Sequence, residues 1–471
     1  MRGLFINNQF ARGVGVLVGG TAAAQALALL AAPILTRLFT PEEFGVLAVY
    51  IGILSLIGVV ASLKYELAIP VPEDESEVVV ISILSLILVS VISLLFGLSL
   101  YFFGEQLFAE LNVPVLSDYI WCLPIGLFFI GIFQVFNYLA VRFKEFPLIS
   151  KTKVKQQLVM VGLQIVLFKL GSIGLILGYL CGKAIGAILL SKKLVSRLCW
   201  DECTFTRLKH IALKYKNYSK FTSWGALFNA AGTQIPALLF ATAFGAGAAG
   251  LYALSHRIVG LPMGVVGQAV SQVFLSDAAG QFRKGTLATN AQYAQRALIK
   301  VIMPPVIILI IYAPYIFEFT FGSYWRESGE IASWLALWML VSFSTSPLSS
   351  IFTITENQAL GMLMQVNLFI FRILGLGIGV FCNDFMLGVI CFSIFNIFGY
   401  VFYQVAAFYC LRVSVWETMK GYVFTIPIVL LAFVLARYSP INYLAVLFAF
   451  LMVFSSYYYY KLALEFKYEG R

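Results

Sequence analysis

The chain has 471 residues, of which 61% are hydrophobic and 11% are charged, and its formal net charge is +10. Soluble domains carry roughly a quarter charged residues, so this composition excludes a soluble globular protein. Apolar stretches of about 20 residues recur from end to end, and that length crosses a bilayer as a helix. Membrane topology explains the basic excess, so we exclude nucleic acid as a partner.

Fourteen apolar segments are candidates for membrane-spanning helices. They lie near 14–38, 44–69, 78–103, 119–141, 154–169, 171–191, 221–243, 249–275, 297–320, 329–352, 358–382, 386–410, 421–436 and 440–461. Most Lys and Arg residues fall in alternate connections, which places both termini in the cytoplasm. We therefore predict an all-α polytopic membrane protein with about fourteen transmembrane helices.

An internal repeat of six spans is indicated by two similar segments. PILTRLFTPEEFGVLA in the first half and PALLFATAFGAGAAGLYA in the second each follow a helix that carries polar residues. Pro33 matches Pro236, and Gly45 matches Gly250, each within two residues. The copies would enter the membrane in the same direction, as parallel repeats, with a binding site expected where the two halves meet.

Four regions follow from this division. They are an N-terminal six-helix lobe (1–191), a cytoplasmic basic linker (192–220), a C-terminal six-helix lobe (221–412), and two extra transmembrane helices with a cytoplasmic tail (413–471). The linker contains RLKHIALKYKNYSKF, in which apolar and basic residues recur at helical spacing. That pattern predicts a basic amphipathic helix on the inner leaflet, which is compatible with a simpler role as topology determinant.

The segment LTRLFTPEEFGVLAVYIGILSLIGVVASLKYELAIPVP resembles the start of polysaccharide-export flippases of the Wzx type. These belong to the multidrug/oligosaccharidyl-lipid/polysaccharide exporter superfamily. The resemblance rests on RLFTPEEFG, between the first two spans, and on SLKYELAI, at the end of the second. It implies a MATE-like fold of two six-helix lobes followed by two C-terminal helices.

The same resemblance implies a function and partners. The substrate would be an undecaprenyl-pyrophosphate-linked oligosaccharide, such as an O-antigen, capsule or exopolysaccharide repeat unit. Alternating access would move it from the cytoplasmic to the periplasmic leaflet of the bacterial inner membrane. Expected partners, besides this substrate and membrane lipids, are a polysaccharide polymerase and a chain-length regulator.

Charged residues inside predicted spans are costly and usually face a cavity or a partner. Here they are Lys64, Glu66, Lys183, Arg257 and Arg372, a cationic excess that suits the phosphates of a lipid-linked pyrophosphate sugar. Arg257, Lys183 and Arg372 would reach the midplane, whereas Lys64 would meet substrate near the cytoplasmic boundary. Each could instead be a structural charge. Helical spacing predicts that Lys64 and Glu66 do not pair.

Other polar residues in the spans have two interpretations each. Glu66 and His256 are candidates for proton coupling, and the alternative for His256 is a hydrogen-bonded interior histidine. Gln25, Asn229 and Gln234 would line the lobe interface and contact sugar hydroxyls, or would join helices by hydrogen bonds. A glycine ridge at Gly174, Gly178, Gly182 and Gly186, beside Lys183, predicts close helix packing.

No nucleotide motif or metal-ligand pattern is present. The seven cysteines are odd in number, which is not the pattern of a disulfide framework. We predict a transporter without metal or cofactor, with H⁺ or Na⁺ as candidate coupling ions. One alternative is a cation-coupled multidrug antiporter of the same fold. Such a protein is expected to carry buried carboxylates in the first or seventh span, and these two predicted spans contain none. A more distant one is a membrane-embedded polysaccharide polymerase or glycosyltransferase, which would need a larger outer loop.

Overall fold

The computed structural model describes residues 2–198, 204–216, 219, 223–263, 267, 278, 281–423, 425 and 427–429, with side chains from residue 15 onward. The described residues form helices joined by short turns, and none of them lies in a strand. Ten of these helices are long and apolar enough to cross a membrane. The chain is a multi-pass all-α membrane protein, as predicted.

Two compact units divide the chain, Met1–Ala253 and Leu254–Arg471. The first contains α1 (Arg2–Leu38), α2 (Pro41–Gly58), α3 (Glu75–Glu110), α4 (Cys122–Arg142), α5 (Phe146–Val166), α6 (Ser172–Leu194), α7 (Phe205–Lys214), α8 (Ser223–Phe244) and the start of α9 (Ala246–Pro262). The second contains the end of α9, α10 (Leu287–Phe321), α11 (Arg326–Thr345), α12 (Gln358–Phe381), α13 (Phe385–Cys410) and the short α14 (Val415–Met419).

Helix α2 begins at a capping box written in the TPEE sequence. The Thr40 side chain accepts a hydrogen bond from the Glu43 N–H, and the Glu43 carboxylate accepts the Thr40 N–H at 2.8 Å. Pro41 occupies the first turn, where its missing N–H costs nothing. The motif shared with polysaccharide flippases therefore fixes the turn between the first two spans.

Gly45 and Gly250, which the repeat pattern matches to one another, both lie at a close backbone contact in the first unit. A Cβ on Gly45 would lie 1.7 Å from the Ala246 carbonyl oxygen, and one on Gly250 would lie 1.9 Å from the Pro41 carbonyl oxygen. Only glycine permits this approach of α2 and α9. Reciprocal contact between matched positions is the arrangement that a twofold-related repeat would produce.

The glycine ridge of α6 packs against α5, as its spacing predicts. A Cβ on Gly174 would lie 2.2 Å from the Leu167 carbonyl oxygen, and one on Gly178 would lie 2.4 Å from Gln164. Lipid tails are as apolar as the helices, so the hydrophobic effect does not drive the two helices together. The close approach of their backbones instead stabilises the pair through van der Waals contacts. This contact holds Lys183 at a fixed position beside α5.

A buried polar network joins the helices of the second unit. Gln295 on α10 donates to the Gln404 side chain on α13 at 2.8 Å, and Gln404 donates to the Tyr422 hydroxyl at 2.8 Å. Ser344 on α11 also bonds to Tyr422. Such networks specify one arrangement of the helices because each buried polar group needs its partner.

The second predicted span is shorter than expected. It was expected to reach residue 69, but α2 ends at Gly58 and the chain then turns, with Leu63 and Lys64 in the left-handed region (φ 48° and 62°). The thirteenth and fourteenth predicted spans lie almost wholly outside the described residues. The boundaries of the predicted lobes and linker stay predictions.

Candidate functional site

Lys64 and Glu66 form an ion pair, contrary to the expectation from helical spacing. The Lys64 Nζ lies 3.6 Å from the Glu66 carboxylate, and their side chains are 15% and 1% exposed. The prediction was wrong because it placed both residues on one helix, whereas Lys64 has left-handed backbone geometry before the 3₁₀ turn Tyr65–Ala68. Ser62 also donates a hydrogen bond to Glu66. The carboxylate of Glu66 is thus paired locally.

The linker helix α7 docks on this region of the first unit. The Tyr65 hydroxyl, beside Lys64, donates to the Ala212 carbonyl of α7 at 2.9 Å. At the end of α7, Lys214 donates to Glu77 of α3 at 2.6 Å, and Tyr215 donates to the same carboxylate at 3.0 Å. Hydrogen bonding to Glu77 raises the pKa of Lys214. The amphipathic helix α7 therefore packs on the first unit, through Tyr65 and α3, and also carries exposed basic residues.

A cationic cluster lies on α5 and α6. Lys183 lies over the Tyr179 ring, with Nζ 5.1 Å from its centroid. Lys153 on α5 is close enough for its charge to interact with that of Lys183, and its Nζ donates to the Thr21 hydroxyl of α1 at 3.1 Å. Each of these two neighbouring lysines therefore contacts a neutral group in the first unit.

Arg372 is anchored by two neighbouring helix positions in the second unit. Its Nε donates to the Asn396 side chain at 3.0 Å, and a terminal nitrogen donates to the Tyr400 hydroxyl at 3.2 Å. Asn396 is fully buried and donates in turn to the Phe392 carbonyl at 2.8 Å. Asn396 and Tyr400 are four residues apart and therefore lie on the same face of α13, where both accept hydrogen bonds from the Arg372 guanidinium.

His256 joins Arg372 through a stack of aromatic rings. The His256 ring stacks on Trp338 with centroids 6.1 Å apart, and Trp338 stacks on Tyr400 at 5.9 Å. His256 and Arg372 also interact electrostatically. The structure thus brings together two predicted site residues that are more than 100 positions apart in sequence.

Arg257 follows His256 on α9 but has a different environment. Its side chain is exposed. Charged residues in membrane helices usually face the interior of the helix bundle or a water-filled cavity. This position is compatible with contact to a substrate, and the role of Arg257 stays a prediction.

The three predicted amide contacts lie on two helices. Gln25 is half-buried on α1, which packs on α5, while Asn229 and Gln234 lie on α8, which packs on α2. Asn229 is exposed and Gln234 is half-buried. Their roles as sugar contacts or helix-joining groups stay predictions.

Sequence reasoning missed Lys153, Asn396, Trp338 and Tyr400. Lys153 was counted as a topology charge because it lies in a run with Lys151 and Lys155. The spacing of Asn396 and Tyr400, four residues apart in an apolar helix, was the available signal for a polar face. Trp338 carried no signal, since its stacking partners come from distant helices.

The fold is that of transporters of the multidrug/oligosaccharidyl-lipid/polysaccharide exporter superfamily. A lipid II flippase MurJ in an inward closed conformation matches with a TM-score of 0.76 at 14% identity, over 97% of this chain and 99% of that chain. An inward-facing multidrug resistance MATE family transporter of the MOP superfamily matches with a TM-score of 0.67 at 17% identity, over 84% of this chain and 96% of the other. At these identities the likeness establishes the fold.

The family follows from the sequence itself. The chain belongs to the polysaccharide biosynthesis protein family, whose profile matches residues 34–330, more than half of its length. No curated protein matches the chain. The MATE-like fold and the family predicted from the RLFTPEEFG and SLKYELAI motifs are both confirmed.

Proposed function

We propose that this protein is a flippase that moves an undecaprenyl-pyrophosphate-linked oligosaccharide from the cytoplasmic to the periplasmic leaflet by alternating access. Its family is one of polysaccharide biosynthesis, and its fold is shared with transporters. O-antigen, capsule and exopolysaccharide repeat units are the substrate classes within this proposal. The bacterial inner membrane is the corresponding location.

One observation carries the proposal: three cations, on α5, α6 and α12, are held by neutral partners. Lys153 bonds to a threonine hydroxyl, Lys183 lies over a tyrosine ring, and Arg372 bonds to an asparagine and a tyrosine. Within the described part of the chain, no carboxylate pairs with any of the three. Charges in a membrane are costly unless they serve a ligand or a partner, and a pyrophosphate supplies the missing negative charge.

A multidrug antiporter of the same fold is less well supported by this charge pattern. A cationic drug would need a carboxylate to receive it, and Glu66 is already paired with Lys64. A polymerase or glycosyltransferase would need catalytic acids or bases, and the cations here face neutral residues. The side chains therefore favour a flippase over both the antiporter and the enzyme.

Within the proposal, Arg257, Arg372 and Lys183 contact the pyrophosphate. Lys153 extends the set because it lies beside Lys183. Lys64 contributes near the cytoplasmic boundary only when its pair with Glu66 opens, which couples substrate arrival to exposure of that carboxylate. Glu66 and His256 remain the proposed groups for proton coupling.

Direct binding to purified protein tests the proposal. In detergent micelles, we expect saturable binding of undecaprenyl-pyrophosphate oligosaccharide and weaker binding of the same sugar on an uncharged polyprenol. A lipophilic drug cation such as ethidium is expected not to compete. Saturable ethidium binding without binding of the lipid-linked sugar would support the antiporter instead.

A further inference from the structure

Two residues interrupt the helical course of the chain just after α2. The backbone is right-handed at Val59 (φ −62°, ψ −36°) and again at Ile69 (φ −54°, ψ −42°), which follows the 3₁₀ turn Tyr65–Ala68. Between these points Leu63 and Lys64 have positive φ, of 48° and 62°. Left-handed geometry is unfavourable for a residue with a side chain, because its Cβ comes too close to the following carbonyl oxygen. The break therefore exists at a cost in free energy.

The sequence around the break is suited to a continuous helix. The apolar run of the second predicted span continues to residue 69, and Pro70 is the first residue that requires a helix to end. Ahead of the break, the Leu63 N–H donates to the Val60 carbonyl at 3.0 Å, which is a bond of the 3₁₀ type. Right-handed geometry at the two residues of the break would therefore extend α2 to residue 69.

Side-chain contacts hold the break in place. Lys64 lies 3.6 Å from the carboxylate of Glu66, whose side chain is only 1% exposed. The Tyr65 hydroxyl donates to the Ala212 carbonyl of α7 at 2.9 Å, and α7 is itself bonded to α3. Unfavourable backbone geometry persists only where the surrounding structure compensates for it, and these contacts supply the compensation.

An extended α2 would separate Lys64 from Glu66. Residues two apart on a helix point about 200° away from each other, so the ion pair would open. Ser62, which already donates a hydrogen bond to Glu66, is four residues from it and would stay on the same face. Glu66 would thus keep its neutral partner, while Lys64 would lose its only printed counter-charge and become available to an anion.

We propose that residues 62–69 alternate between this turn and an extension of α2, and that the change controls when Lys64 is available. The trigger rests on the proposed function: a substrate pyrophosphate replaces Glu66 beside Lys64, and the break, without its ion pair, closes into a helix. Tyr65 leaves α7 in the same step, because the residues after the break rotate with the helix. The turn keeps the Lys64 charge paired until substrate arrives.

Hydrogen exchange of a peptide that covers residues 59–69 measures the change. Undecaprenyl pyrophosphate is expected to slow this exchange about tenfold in wild-type protein, because an extended helix adds backbone hydrogen bonds across the break. Undecaprenol, which lacks the phosphates, is expected to have no effect. The double variant Lys64→Gln/Glu66→Gln is expected to slow the exchange without any lipid, since it removes the ion pair that holds the turn.

The double variant separates the two proposals. Unchanged exchange in Lys64→Gln/Glu66→Gln would overturn the switch, whether or not the lipid binds to wild-type protein. Slower exchange in the double variant without any response of wild-type protein to undecaprenyl pyrophosphate would support the switch and count against the proposed substrate.

Substitutions at Leu63 move the equilibrium in opposite directions. Leu63→Ile keeps the side-chain volume, but its β-branch disfavours positive φ, so slower exchange and severalfold tighter binding of undecaprenyl pyrophosphate are expected. Leu63→Gly permits positive φ and is expected to weaken binding severalfold. Leu67→Ile is the matched control, since Leu67 is also half-buried and lacks positive φ, and its binding is expected to be unchanged. Weaker binding by Leu63→Ile than by Leu67→Ile would indicate a purely structural turn and overturn the proposal.

Discussion

Arg372 and Asn396 are joined by a hydrogen bond of 3.0 Å between the guanidinium Nε and the side-chain oxygen. Asn396 is fully buried and is oriented by the Phe392 carbonyl. A neutral partner positions the arginine without cancelling its charge. The guanidinium can therefore attract an anion at this place in the membrane, which is the property that the proposed function requires.

Replacing Arg372 separates its charge from its geometry. Arg372→Gln is expected to lower transport at least tenfold, because it removes a charge-assisted contact of about 1.5–3 kcal/mol. Arg372→Lys is expected to fall between wild type and Arg372→Gln, since an ammonium lacks the fork that reaches Asn396 and Tyr400. Polysaccharide display in cells, normalised to protein in the membrane, measures both. Equal display by all three proteins would contradict the role.

The Lys153–Lys183 cluster predicts that a lysine near a predicted loop matters for transport. Lys153→Gln is expected to reduce transport several-fold and to weaken binding of the lipid-linked pyrophosphate. Lys151→Gln, an exposed position on the same helix, is the matched control and is expected to behave as wild type. If both variants lose transport equally, the effect belongs to topology rather than to the cluster.

The Lys64–Glu66 ion pair predicts a rescue by double substitution. Glu66→Gln leaves a nearly buried ammonium without its partner, which is expected to cost about 3–5 kcal/mol of stability. Lys64→Gln/Glu66→Gln removes both charges and is expected to recover much of this loss. Thermal unfolding of purified protein in detergent gives the comparison. A double variant less stable than Glu66→Gln would rule out the pair.

The contact at Gly45 and Gly250 predicts a position-specific cost of one methyl group. Gly250→Ala is expected to destabilise the protein by about 1–3 kcal/mol, because a Cβ would lie 1.9 Å from the Pro41 carbonyl oxygen. Gly260→Ala on the same helix meets open space and is expected to be neutral or slightly stabilising. The unfolding midpoint of Gly250→Ala is therefore expected to be lower than that of Gly260→Ala. Identical midpoints would contradict the close contact.

The sequence predicted those features that depend on local pattern. The all-α membrane fold class follows from apolar length, and the close packing at the α6 glycines follows from their spacing of four. The Lys64–Glu66 pair was missed because helical spacing was applied beyond Gly58, where α2 ends. The stack of His256, Trp338 and Tyr400 could not be inferred, since it depends on how three distant helices pack.

The central claim is movement of a lipid-linked oligosaccharide, and proteoliposomes test it most directly. A fluorescent undecaprenyl-pyrophosphate oligosaccharide is placed in both leaflets, and a membrane-impermeant quencher reports the fraction that reaches the outer one. Wild-type protein is predicted to make nearly all of the probe accessible, and Arg257→Ala is predicted to slow the exchange at least tenfold. Accessibility no greater than in protein-free liposomes, or an Arg257→Ala rate equal to wild type, would contradict the account.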